Sequence, residues 1–161
     1  MRAILACSVM VLALAGSACA QDVNDDPTGP QPTLPTAPLT IHTAAGKVWN
    51  FNVELPSTPQ EQATGEMFRT NIPATSGMLF VWNAPSDQAM WMKNCPIPED
   101  MVFIGADGTI LAIAEDTVPY SLKAVSAGQP EAAVLELQGG ITAADDISVG
   151  DKVIAKPFAG G

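Results

Sequence analysis

Two apolar runs, Met101-Val102-Phe103-Ile104 and Thr109-Ile110-Leu111-Ala112-Ile113, flank Gly105-Ala106-Asp107-Gly108. This segment constrains the fold more than any other. An Asp-Gly pair accepts the backbone angles of a tight reversal, so the two runs are predicted to be neighbouring strands of a hairpin. Neither run alternates with polar residues, which predicts that each is central and covered on both faces. Strands of that kind need partners, and the chain offers several. Lys47 to Leu55 places Trp49, Phe51, Val53 and Leu55 on one face with Asn50, Asn52 and Glu54 on the other, the period of a strand with one wet side. Ala44-Ala45-Gly46 can turn it back on Leu39 to His42. Gly77 to Trp82, Ala132 to Leu137 and Lys152 to Ala155 are further candidates, and Asn83 to Asp87 reads as a turn into the apolar Gln88 to Met92. Thr58-Pro59-Gln60-Glu61 supplies an N-cap, a Pro at the first helical position and a capping-box Glu, opening a short helix towards Met67. A second short helix is expected from Thr142 to Asp146. With no βαβ alternation, the expectation is a mainly β domain, a compact β-sandwich or barrel-like fold with one or two short helices.

The ends of the chain bound where it works. Residues 1–20 run from Met1-Arg2 through an apolar stretch to Ala18-Cys19-Ala20, the layout of a secretory signal peptide cleaved before Gln21. The apolar stretch is too short to span a membrane. Export to the periplasm or the extracellular space is therefore expected, with lipidation of Cys19 as the alternative processing route. Residues 21–38 carry Pro27, Pro30, Pro32, Pro35 and Pro38 among polar residues, and are read as a Pro-rich disordered tether. Residues 39–161 then form a single β domain of about 120 residues, enough to bury a core without metal or disulfide. Cys95 alone remains after processing, so no internal disulfide is expected. Removing residues 1–20 deletes Arg2 and no carboxylate, taking the net charge from −10 to −11. Such a chain has no basic footprint for nucleic acid or for an anionic membrane.

The stretch Met90-Trp91-Met92-Lys93-Asn94-Cys95-Pro96-Ile97-Pro98-Glu99-Asp100 carries most of the candidate chemistry, because two prolines stiffen a loop that presents a cation, an amide and two carboxylates. Arg69 adds a guanidinium able to grip a carboxylate or phosphate at two points, and Trp91 an aromatic platform suited to a sugar ring or a peptide. Arg69 pairing with Asp100 or Glu136 as a structural bridge is the competing reading. Asp100 divides likewise between a ligand contact and an acceptor for backbone N–H groups. Cys95 is read as a small residue in a Thr-sized space. His42 is the single histidine, so a His-rich metal site is excluded. There is also no nucleophile elbow, paired C-x-x-C, P-loop or G-x-G-x-x-G. No cofactor and no metal are expected.

The blocks Gly65-Glu66-Met67-Phe68-Arg69, Gly77-Met78-Leu79-Phe80, Trp91-Met92-Lys93-Asn94, Ile97-Pro98, Asp100, Asp107-Gly108, Val134-Leu135-Glu136 and Gly150-Asp151, in that order and spacing, resemble the bacterial and archaeal family called domain of unknown function 192. Glu66 and Glu99 stand where that family usually has an aliphatic residue, and Cys95 where a Thr is usual. The resemblance implies a compact, mainly β domain and no established activity. The leading reading is an exported binding domain rather than an enzyme. It would take a polar envelope ligand, a saccharide or a peptide, at the 91–100 loop through Arg69, Trp91, Lys93, Asn94, Asp100 and Glu136. The rival readings are a carboxylate-based glycan hydrolase and a structural or interaction module without a small-molecule site.

Overall fold

Alternation along β2 (Val48–Glu54) sends Phe51 and Val53 into the core while Asn50 and Asn52 stay exposed. The preceding β1 (Thr36–His42) folds back on it with Leu39 opposite Phe51 and Ile41 opposite Trp49. The computed structural model describes residues 26–156 and 158. The expected signal peptide, with Cys19, lies outside these residues.

After β2, the helix α1 (Pro59–Thr64) starts as the sequence predicts. Thr58 accepts from Glu61 N, and the Glu61 carboxylate accepts from Thr58 N at 2.9 Å, a reciprocal capping box. The crossover that contains α1 delivers β3 (Ser76–Ser86) parallel to β2, so one parallel pair interrupts an otherwise antiparallel sheet. β3 does not turn at Asn83. It continues to Ser86 with a register shift between Val81 and Ser86, and Gln88 to Met92 joins no ladder beyond one bridge, Met90 to Val125.

β4 (Glu99–Ile104) and β5 (Ile110–Ala114) form the predicted Asp-Gly hairpin. β4 is buried throughout, between β5 and β6 (Glu131–Gln138). The expectation that β5 is also central needs correction: it ends the sheet, and beyond Ile110 its residues are only partly buried. An apolar run reports cover, not neighbours, and the small side chains of Ala112 and Ala114 gain theirs by packing against the Met92, Met101 and Phe103 cluster. A short helix α2 (Ile141–Ala144) and β7 (Lys152–Ile154) complete the order β5-β4-β6-β3-β2-β1-β7. The sheet curls until its two ends touch. Thr109 bridges Lys152, and Ile110 N–H donates to Asp151 O at 2.9 Å while Val153 N–H donates to Gly108 O at 2.8 Å.

The curl encloses Leu39, Ile41, Phe51, Val53, Leu79, Val102, Ile104, Leu135 and Leu137. On the outer face a second cluster gathers Met67, Met92, Cys95, Met101, Phe103 and Val134 under the 65–69 and 90–95 segments. The described part of the Pro-rich segment lies against this framework. Gln31 Nε2 donates to Gly65 O at 2.8 Å, Leu34 is buried with its N–H donating to Glu54 at 2.7 Å, and Thr36 to Pro38 already belong to β1.

Candidate functional site

Directly opposed residues on neighbouring strands share a face of the sheet. Glu136 of β6 lies opposite Met78 of β3 and Met101 of β4. Glu54 of β2 lies opposite Met78 in turn, and Glu99 is two residues from Met101 on β4. One row on the outer face therefore holds three carboxyls among methionines. The helix end adds a fourth. Gly65 (φ 51°) takes a backbone conformation that favours glycine, ending α1 and swinging Glu66 inward. Phe68 (φ 63°) and Asn94 (φ 57°) are also left-handed, and Phe68 N–H donates to Asn94 O at 2.7 Å, which locks the 65–69 turn onto the 91–100 loop.

Among the described residues one cation serves these four acids. Arg69 grips Glu54 with both terminal nitrogens, at 2.5 and 2.8 Å, and places Nε 3.0 Å from Glu66 Oε2. Burial works against the Glu54 charge, but the Arg69 hydrogen bonds and the Leu34 N–H outweigh it and hold this carboxyl below its ordinary range. Glu66 is pushed up to about 7 by burial, with Arg69 opposing. Glu99 is fully buried, neither of its oxygens has a well-formed hydrogen bond, and burial with the neighbouring Glu66 pushes it to about 8, opposed by the adjacent Cys95 thiol and by Arg69. Glu136 is driven well above the ordinary value by burial, then by Glu99 and Glu66. Cys95 sits among them with its thiol aimed at Lys93 O, 3.5 Å away, and burial beside Glu99 raises it into the fully protonated range. It is buried, not a reactive thiolate.

Above this cluster opens a cavity of about 390 Å³. Its ionisable lining is Glu66, Glu136 and Cys95; Met67, Phe80, Trp82, Met90 and Trp91 supply apolar wall. Glu99 is one layer deeper. Glu66 also reaches a second cavity of about 380 Å³ on the Arg69 and Glu54 side. A larger one, about 650 Å³, beside Leu55, Leu79 and Val81, has Lys156 as its one charged lining residue. Among the described residues no group of three or more His, Cys, Asp or Glu is arranged to hold a metal ion.

The sequence-predicted site residues divide. Trp91 (46% exposed) and Glu136 meet at the cavity. Lys93 lies over the Trp91 ring, 5.2 Å from its centre, and pairs with Asp26 at 2.6 Å. Asn94 contacts Met67 Sδ. Arg69 stands on the far side of Glu66 and pairs with Glu54 and Glu66, not with Asp100 or Glu136. Asp100 points to the opposite face of the sheet, where it accepts from Asp116 N, Gly140 N, Thr142 N and Thr142 Oγ1 at 2.6 to 2.9 Å. Sequence reasoning missed Glu66 and Glu99 as site residues. The signal was there: both, with Cys95, are the positions read above as departures from the family pattern, and in space they adjoin.

Fold and site together define a small curled β-sheet domain with an acid-rich cavity on its outer face. The chain belongs to the domain of unknown function 192 family, described as "Uncharacterized ACR", whose model matches residues 40–155. A crystal structure of a protein from Sinorhizobium meliloti 1021, described as a candidate transcription regulator, is 34% identical with a TM-score of 0.76, over 80% of this chain and 99% of that one. A protein of unknown function from Novosphingobium aromaticivorans DSM 12444 is 40% identical with a TM-score of 0.72, over 76% of this chain and 86% of that one. None of the curated proteins matches the chain.

Proposed function

We propose that this is an exported binding domain whose outer-face cavity takes a polar envelope ligand, a saccharide or a peptide. The observation that carries the reading is the joining of a half-exposed aromatic, Trp91, to the buried carboxyls Glu66, whose Oε2 accepts no hydrogen bond, and Glu136, across about 390 Å³ of open space. Buried acceptors without donors are costly in a folded protein, and a ligand's hydroxyl or amide groups would supply what the fold does not. The expected test result is amide NMR shifts at Gly65 to Met67 and Met90 to Cys95 on titration with chitooligosaccharides or short peptides, lost in Trp91→Ala. Silence at ~10 mM, where a ligand with a Kd near 1 mM would be nearly saturating, overturns it. Export rests on residues 1–20. An intact mass from the native host starting at Gln21 supports cleavage there, and a lipid-modified Cys19 supports the alternative route.

The glycan-hydrolase reading draws on one observation, that burial raises both cavity carboxyls, Glu66 to about 7 and Glu136 well above its ordinary value. A carboxyl that keeps its proton near neutral pH can act as general acid beside a second carboxyl. Release of reducing ends from a glycan, abolished in Glu136→Gln, is its test.

A further inference from the structure

We infer that the cavity recognises its ligand through a primary ammonium group, seated against Glu66 and Glu136 and backed by Glu99. The inference rests on the ligand-binding reading above and names the ligand's chemistry.

The first argument is a count of donors. Glu54, Glu66, Glu99 and Glu136 share a single cation, Arg69, whose two terminal nitrogens are both spent on Glu54. Its remaining Nε faces Glu66 at 3.0 Å without making a hydrogen bond to Oε2. The Cys95 thiol, 3.5 Å from Lys93 O, is a weak S–H donor that also lies beside Glu99 and lowers its proton affinity. Apart from that thiol, Glu99 has two buried oxygens and no donor among the described residues. Glu136 at the cavity and Glu99 beneath it thus lack a cation, and Glu66 has only the share of Arg69 that Glu54 leaves. An ammonium supplies one charge and three donors from a compact head.

The second argument is the shape and nature of the walls. Met67, Phe80, Trp82 and Met90 offer a methylene stem or a ring an apolar sleeve behind such a head. At the rim the Trp91 ring already holds an ammonium, that of Lys93, at 5.2 Å, so the wall surface is of a kind that favours this group. A bare divalent ion fits less well, because among the described residues no three ligating side chains converge on one point. An amino sugar carries the required group on a ring carbon and a lysyl side chain carries it on a methylene stem.

Calorimetric titration of the whole chain at pH 7, where glucosamine and the lysyl side chain are both mainly in the ammonium form, with two matched pairs tests this. Glucosamine is compared with N-acetylglucosamine, and Nα-acetyl-lysine amide with its Nε-acetylated form. Within at least one pair the charged member should bind about tenfold or more tighter, and the pair that shows it identifies the source. Glu136→Gln should bring the charged member down to its neutral partner. The groups facing the seat are Glu54, Glu66, Arg69, Cys95, Glu99 and Glu136, with Lys93 at the rim. Because an ammonium favours the ionised acids, its binding should release protons, read as a dependence of the heat on buffer ionisation. Equal affinities within both pairs would overturn the ammonium inference and leave the binding domain standing. Absence of binding by all four would overturn the inference, and the ligand-binding reading falls with it only if the oligosaccharide and peptide titrations are silent too.

Discussion

Glu99 and Asp100 are consecutive on β4 and both fully buried, yet the fold treats them in opposite ways. Asp100 points to the face where the turn into α2 arrives and collects four donors from Asp116, Gly140 and Thr142. Gly140, with φ 79°, can adopt the left-handed bend that brings its N–H there. Glu99 points to the other face and collects none. Equal burial therefore says nothing about purpose. The partnered carboxylate ties a strand end to a helix, and the unpartnered one, with Glu66 and Glu136 beside it, is the kind of group that structure alone does not require.

The comparison breaks most sharply at Asp100. Asp100→Ala should lose about 3–5 kcal/mol in urea unfolding, since it orphans buried donors on two elements; a loss below about 1 kcal/mol would show that those bonds hold little. Glu99→Leu should do the reverse. Replacing an unsatisfied buried carboxyl by an apolar side chain of similar size should raise stability by about 1–3 kcal/mol, and a destabilised variant would mean that Glu99 has a partner in solution. A smaller effect follows from pH. Glu66 and Glu99 hold their protons up to about 7 and about 8 in the folded protein, against 4.5 ordinarily. Between those limits the native state binds more protons than the unfolded chain, so stability should be greatest below about pH 4.5 as far as these two groups contribute and should fall towards pH 8. Melting curves across that window should flatten in Glu99→Leu, and an unchanged slope would remove Glu99 as the cause. Smallest is Cys95→Thr, expected to shift unfolding by less than about 1 kcal/mol, since the thiol's one hydrogen bond is long and a Thr is of similar size.

The strands were legible because their signals are local. The β2 alternation and the Asp-Gly hairpin need only adjacent residues to be read, and the Thr58/Glu61 capping box spans three. What failed was information carried between segments. The apolar run of β5 gave no sign that it would end the sheet. Asp100 could not be assigned, because its donors come from Gly140 and Thr142, some forty residues away. Arg69 was legible as a carboxylate-gripping cation, but its partners Glu54 and Glu66 were not. Glu54 read as the wet face of an alternating strand, and only the docking of Leu34 and the 65–69 turn over it made it a buried acceptor. Glu66 and Glu99 were visible as departures from the family pattern, and became informative only once the fold put them side by side.

The seam between Thr109 and Lys152 has a consequence for how the protein keeps to itself. The strand that closes it, β7, is three residues long and is the last strand among the described residues. Until Lys152 to Ile154 are in place, the outer edge of β1 and the Gly108 to Ile110 corner both present unpaired N–H and C=O groups, templates on which another chain's strand could add. In a protein with few positive charges to repel a visiting strand, three residues thus cover two edges on which another chain's strand could otherwise add.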